Sequence, residues 1–331
     1  MTKLLELRER LRSLYGNYEI YIKPAIRFVA AIVTFLIING NIGYMARLRS
    51  PVVAIALALV CTFLPVNVMV LLAAVLVLAH LSALSLEACA VAFLLFLLMF
   101  FMYYKYAPKN GYSAVLTPVL FQLKIPETVP TALGLYKEPC SMLSMVCGMI
   151  VYYFLKGIRE NDAFLSAADD EAMLSRFMKV MQQIVGNKEL YITVASFVFT
   201  AIIIYLLRRR PVAHAWSIAV VTGNVVNMVI LITGSFFLGN TEEILWIILG
   251  TIIAIMVGLL MEFFLFHLDY ARTEQVQFED DEYYYYVKAV PKVFVSNQEK
   301  KVKQINSRKN SGISKKELAE EFEIDQDLLD D

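Results

Sequence analysis

The chain has 331 residues, 59% of them hydrophobic, with 30 basic and 30 acidic side chains that cancel. Its mean hydropathy is +0.60, whereas an average soluble domain is about 45–50% apolar. The excess lies in long runs, so a soluble two-domain reading is excluded and the bilayer is the expected solvent.

The first 27 residues carry Lys3, Arg8, Arg10, Arg12, Lys23 and Arg27, with Glu6 and Glu9 between them. No small-residue cleavage site follows the first apolar run, so a cleaved signal peptide is not expected. Leu4, Leu7, Leu11 and Leu14 recur at helical spacing up to Gly16. This predicts an amphipathic surface helix over residues 1–20.

A membrane domain is predicted over residues 21–270. Apolar runs fall at residues 24–39, 52–80, 84–104, 140–157, 189–207, 212–239 and 243–267. Most suffice for a span of about 20 residues. The runs 52–80 and 212–239 are too long for one straight span and too short for two ordinary ones. Breaks are expected at Pro65 in the first and at Gly223 in the second.

Residues 108–139 hold Pro108, Pro118, Pro126, Pro130 and Pro139, half of the ten prolines. The apolar piece at residues 113–123 would be about 16 Å long as a helix. That cannot cross an apolar core of about 30 Å. Charge then decides the count. The basic N-terminus, Arg208, Arg209 and Arg210, and the basic start of the tail are expected on the cytoplasmic side. The segment either crosses as broken half-helices or dips in and returns; eight crossings meet the charge condition and seven do not, so residues 113–135 are read as a broken span, with Pro118, Pro126 and Pro130 as its breaks. Arg47, Arg49 and the connector at residues 160–188 then lie outside. In that connector Ser166 and Asp169 form a capping box, and Met173, Leu174, Phe177, Met181, Ile184 and Val185 share one face before Gly186.

A weak repeat exists at an offset of 160. Residues 51–71 and 211–231 share seven identities, among them Thr62 with Thr222 and Asn67 with Asn227. The halves 21–105 and 187–268 each read as three spans with an interrupted middle one, inverted relative to each other. Paired interrupted segments in inverted halves point to a transporter binding site, because a broken helix exposes backbone groups that a solute or water must satisfy. Asn67, Asn224, Asn227, Thr62 and Thr222 are the substrate-facing candidates, and Glu262 is the candidate coupling group. Glu87, Glu242, Glu243, His80 and His214 fall near span ends, where they can reach the interface.

Enzyme signatures are missing: there is no HExxH, GxSxG or P-loop pattern, and no catalytic residue is assigned. Cys61, Cys89, Cys140 and Cys147 sit in apolar stretches without a CxxC pair, so no disulfide, metal or cofactor is expected. The tail, residues 271–331, begins with alternation at 275–278 and 283–288 that predicts a small hairpin containing Tyr283 to Tyr286. A basic linker follows. The acidic end has a capping box at Ser314 and Glu317, which predicts a short docking helix for a cytoplasmic protein partner at residues 313–331. The chain stops before a recognition helix could follow, so nucleic acid is not an expected partner.

The predicted fold class is therefore all-α, a polytopic transmembrane helix bundle of about eight spans with both termini cytoplasmic. The expected function is a small-solute permease or exporter in a cell membrane, taken as a bacterial cytoplasmic membrane, with the lipid bilayer as its solvent. The rival is a membrane scaffold that recruits a partner through its tail.

Overall fold

The computed structural model describes residues 2–166, 173–266, 274–279 and 284–289. The basic linker, the acidic terminal helix with its partner site, Asp169, His267 and Tyr283 lie outside the described residues.

The described chain is predominantly helical, and seven of its helical segments are long and apolar enough to cross a membrane. Six single helices of this set are α2 (Glu19–Asn41), α4 (Val66–Leu84), α5 (Leu86–Tyr106), α8 (Met142–Glu160), α12 (Ala215–Leu238) and α13 (Ile244–Phe266). The seventh segment joins the end of α10 (Met173–Val185) to α11 (Lys188–Leu207). Between them lie the shorter helices α3 (Pro51–Phe63), α6 (Gly111–Gln122), α7 (Thr128–Tyr136) and α9 (Asp162–Leu165). The N-terminal helix α1 (Thr2–Asn17) leads into α2 with only Tyr18 between, and its Leu7, Leu11 and Leu14 remain exposed.

Local chemistry sets many of the helix ends. The Ser50 hydroxyl accepts from the Val52 amide, with Pro51 in the first helical position of α3. Ser85 caps α5 through Ala88, and the Asn187 carboxamide caps α11 through Leu190. Each side-chain oxygen satisfies an amide that has no partner inside its helix. Gly239, at φ +76°, closes α12, with the Asn240 amide returning to the Ser235 carbonyl. A left-handed residue is needed for that closure, and glycine takes it without strain.

Side-chain contacts fix the direction of each helix. Arg27 Nη1 donates to the Leu64 carbonyl, while His80 late in α4 meets Asn39 late in α2. Therefore α3 runs back along α2, and α4 returns parallel to α2. Tyr103 of α5 reaches Asn67 at the start of α4, so these two are antiparallel. Along α6 and α8, Ser113 meets Ser144 and Phe121 stacks on Tyr152, so these two run parallel. Tyr153 and Lys156 meet Glu189 at the start of α11, which runs back. The bundle thus has two ends. One gathers Arg27, Tyr103, Lys137, Arg208 and Glu262. The other gathers Asn41, Lys156, Arg159, Glu189 and Glu243.

Three expectations are corrected by this path. The run 52–80 is not one interrupted span: Leu64 and Pro65 are both extended, and the chain reverses there. Residues 113–135 do not pass from end to end. Helix α6 climbs from the Arg208 end, and α7 descends to it again, because Arg208 donates to the carbonyls of Leu135 and Lys137. The segment is a helical hairpin that returns to the end from which it started. Finally, α12 is continuous through Gly223, where the bare Cα lets Ile204 of α11 pack closely. The interruption that the repeat requires in the second half is absent.

The loop between α2 and α3 is held by a satisfied polar network. The Met45 amide donates to His80 Nδ1, so the ring hydrogen is on Nε2, which meets Asn39 Oδ1 at 3.0 Å. Asn39 Nδ2 donates to the Leu48 carbonyl at 3.0 Å. His80 is fully buried. Asn39→Leu leaves the buried Nε2 hydrogen without an acceptor and is expected to cost about 1–3 kcal/mol. Thermal unfolding in detergent would read the loss, and proteolysis within residues 42–50 should quicken.

The connector helix α10 lies on the bundle. Val180 packs with Leu81, Val91 and Ile158, and Gln183 Nε2 donates to the Gly157 carbonyl at 2.6 Å. Two strands follow the last helix. Strand β1 (Glu274–Glu279) pairs antiparallel with β2 (Tyr284–Ala289), with Val276 opposite Val287 and Phe278 opposite Tyr285.

Candidate functional site

The tip of the hairpin borders a group of charged and polar side chains from α8, α11 and the turn that leads into α13. Helix α6 closes with the Ile125 amide bonded to the Leu120 carbonyl and the Lys124 amide to that of Phe121. Lys124 takes the left-handed conformation, φ 58°, that such a closure usually gives to glycine. A side chain there is strained by about 1–2 kcal/mol. The conformation sets Lys124 Nζ 3.9 Å from the centre of the Trp246 ring of α13. Pro126 then prevents α6 from continuing. Pro130 sits in the first turn of α7, where an amide would lack a helical partner in any case. Pro118 lies inside α6 without breaking it. Of the three prolines expected as breaks, only Pro126 stands at one.

The tip floors a cavity of about 380 Å3 between α8, α11, α12 and α13. Its aromatic wall is Phe121, Tyr152 and Phe197, with Phe121 stacked on Tyr152 at 4.5 Å. Its ionic wall is Lys156 Nζ, 3.0 Å from Glu189 Oε2, with the Tyr153 hydroxyl donating to Glu189 Oε1 at 3.1 Å. Glu243 lines the mouth and has no carboxylate–cation contact among the described residues. Lys124 likewise pairs with the indole ring and with no described carboxylate. The cavity therefore presents Lys124, and at its rim Glu242 and Glu243, outside any ion pair among the described residues.

Glu127 stands at the start of α7 and lines the same cavity. It is only 3% exposed, and its Oε2 is buried with no hydrogen-bond partner. The oxygen lies against Gly250 of α13, where any Cβ would collide with it. One turn along, Thr131 donates from its hydroxyl to Asn224 Oδ1 at 2.9 Å, and the hairpin is tied to α12.

The residues expected from sequence to share one site do not. Asn67 accepts from the Tyr103 hydroxyl at 2.7 Å, beside a separate apolar groove of about 440 Å3 between α2, α4, α5, α6 and α8. Asn224 and Asn227 are fully buried in the α7, α11 and α12 packing. Asn227 Oδ1 accepts from Ser196, and its Nδ2 has no partner. The Thr62 hydroxyl donates to its own helix at Ala58, and Thr222 is exposed on the outer face. Glu262 accepts from Ser217 at the Arg208 end, far along α13 from Glu127. The sequence reading missed Lys124, Glu127, Lys156, Glu189 and Glu243 as a group. The available signal was Glu127 itself, a carboxylate between Pro126 and Pro130 in a segment already read as non-helical at membrane depth.

Among the described residues there is no cluster of three or more His, Cys, Asp or Glu able to hold a metal ion. Comparisons with protein-family models, with curated proteins and with solved structures found no match for this chain.

Proposed function

We propose that this membrane protein is a permease for a small zwitterionic solute, and that the solute site is the cavity at the hairpin tip. The observation that carries the reading is the re-entrant pair α6–α7, whose tip floors a polar cavity open toward the Lys156 end. Irregular backbone at membrane depth is tolerated only against protein or a water-filled cavity. Discontinuous helices at such depth are where transporters bind solutes. Lys124, held over an indole ring but by no described carboxylate, suits a solute carboxylate; Glu243, without a described ion pair, suits an ammonium; and Tyr152, Phe121 and Trp246 suit the body of the solute.

The topology in this reading has eight crossings: α2, α3, α4, α5, α8, α11, α12 and α13. The number equals that expected from sequence, but α3 takes the place of the broken segment. At about 20 Å, α3 is the short one, which a locally thinned bilayer accommodates. The Arg208 end collects the basic N-terminus, Lys105, Lys109, Lys137, Arg209 and Arg210, and faces the cytoplasm.

The test is thiol accessibility in native membranes. In a chain whose four cysteines are replaced, single cysteines are placed at Lys124, Glu243, Arg47 and Arg209 in turn. A membrane-impermeant maleimide is expected to label positions 47, 124 and 243 from outside and 209 from inside. Labelling of 47 and 209 without 124 and 243 means a dry tip, and the permease reading is then lost in favour of a scaffold.

A further inference from the structure

We infer that Glu127 holds a proton in the resting protein and exchanges it for the ammonium group of the entering solute. This rests on the permease reading but concerns its energetics, which the cavity alone does not determine.

The argument begins with the environment of the carboxyl. Glu127 is 3% exposed and its Oε2 touches Gly250, a position that offers neither a donor nor a cation. A carboxylate buried in that way pays a desolvation penalty that no neighbouring cation offsets, and it takes a proton instead. The charged and titratable groups around the cavity do not remove this need. Lys156 of α8 is committed to Glu189 of α11, and Lys124 of the tip lies over Trp246. Tyr152, Tyr153, Glu242 and Glu243 complete the titratable lining, and none of them is a cation. Among the described residues, the two cations that line the cavity, Lys124 and Lys156, thus lie against the Trp246 ring and Glu189 rather than against Glu127.

A solute ammonium changes that balance. Held first by Glu243 at the mouth, it brings to Glu127 the cation that the chain does not supply. The carboxyl O–H then breaks, the proton leaves as hydronium in the cavity water, and the carboxylate pairs with the ammonium. No bond of the solute changes and no electron is transferred. The reverse step, reprotonation of Glu127, releases the solute. The position also favours this exchange mechanically. Glu127 is the first residue before α7, and Thr131 and Arg208 tie α7 to α12 and α11. A charge change at Glu127 therefore acts at the start of α7, the helix that these two contacts hold to α12 and α11.

Carbodiimide labelling reads the proton directly, because dicyclohexylcarbodiimide reacts with protonated carboxyls in apolar surroundings. The full chain in lipid nanodiscs is treated across a pH series, and adducts are mapped by peptide mass spectrometry. The expected result is an adduct at Glu127 whose rate falls as pH rises, about tenfold per unit once the group ionises. Methylammonium, the simplest ammonium probe, should slow the reaction at a pH where the adduct forms. Glu127→Gln should abolish that adduct, although the result on the unsubstituted chain does not depend on the variant folding. Adducts at Glu189 or Glu243 without one at Glu127, or a rate independent of pH, overturn the proton site. A rate unaffected by methylammonium overturns the exchange. A dry cavity in the thiol experiment together with a pH-dependent Glu127 adduct would sink the solute reading and leave the proton site standing.

Discussion

Gly148→Val is expected to cause a large loss of folded protein. Gly148 is the point where α8 crosses α6. A Cβ there would lie 2.7 Å from the Ala114 carbonyl oxygen, 2.7 Å from Thr117 Cβ and 3.1 Å from Pro118 Cδ. The first of these atoms is backbone and the others are rigid, so none can swing aside as a long side chain can. The closeness has a cause in sequence. Pro118 has no amide to give to Ala114, so that carbonyl is unpaired within α6 and faces the bare Cα of Gly148. Overpacking of this kind costs about 3 kcal/mol or more, a large share of the stability of a typical domain. Size-exclusion chromatography of detergent extracts should show the monodisperse peak reduced or lost. Gly148→Ala should be milder in the same direction. Gly40→Ala is the control. It lies in α2 with nothing within 4 Å of a built Cβ, and it should gain up to about 1 kcal/mol from helix propensity.

The second large effect is expected at Arg208. Its guanidinium donates through Nη1 to the Leu135 carbonyl and through Nη2 to the Lys137 carbonyl at 3.0 Å, and it packs against the rings of Tyr205 and Trp216. These carbonyls belong to the end of α7, whose nine residues make too short a helix to stand alone. Arg208 therefore caps the descending arm of the hairpin from another helix. Arg208→Leu removes two charge-assisted hydrogen bonds, each of the 1.5–3 kcal/mol class, and is expected to cost about 3 kcal/mol. Hydrogen exchange should quicken through residues 128–136 before it quickens in α12. Arg208→Lys should recover only part, since an ammonium cannot fork to both carbonyls.

Gly148 and Arg208 also show how unevenly the site was written in the sequence. Both residues were visible. Gly148 lay in an apolar run without a signal, and Arg208 was counted as one of three topology charges. Their roles depend on the element opposite, and the element opposite is reached only through the reversals at Leu64–Pro65 and at Lys124. The repeat was misleading for the same reason. Thr62 and Thr222 occupy matching places in two apolar runs, but the first run is turned by the extended Leu64 and Pro65 while the second continues as one helix, narrowed at Gly223 for Ile204. Proline acted as expected at position 126, where it follows a helix already closed by Lys124. It did not at positions 118 and 130, where the missing amide is absorbed by a glycine contact and by a first turn.

By itself the sequence determined the solvent, the helical class and most of the helix lengths, because burial in hydrocarbon acts on the summed apolar content of about 20 consecutive residues. Only the tertiary structure decided that α3 and α4 are two antiparallel helices, that α6 and α7 form a hairpin returning to the end it left, and that Glu127 Oε2 is enclosed without a hydrogen-bond partner. The direction of a chain after a turn depends on a few dihedral angles, and the burial of a carboxyl depends on which helix presents a glycine to it. Neither quantity is contained in the hydrophobic period of any one segment.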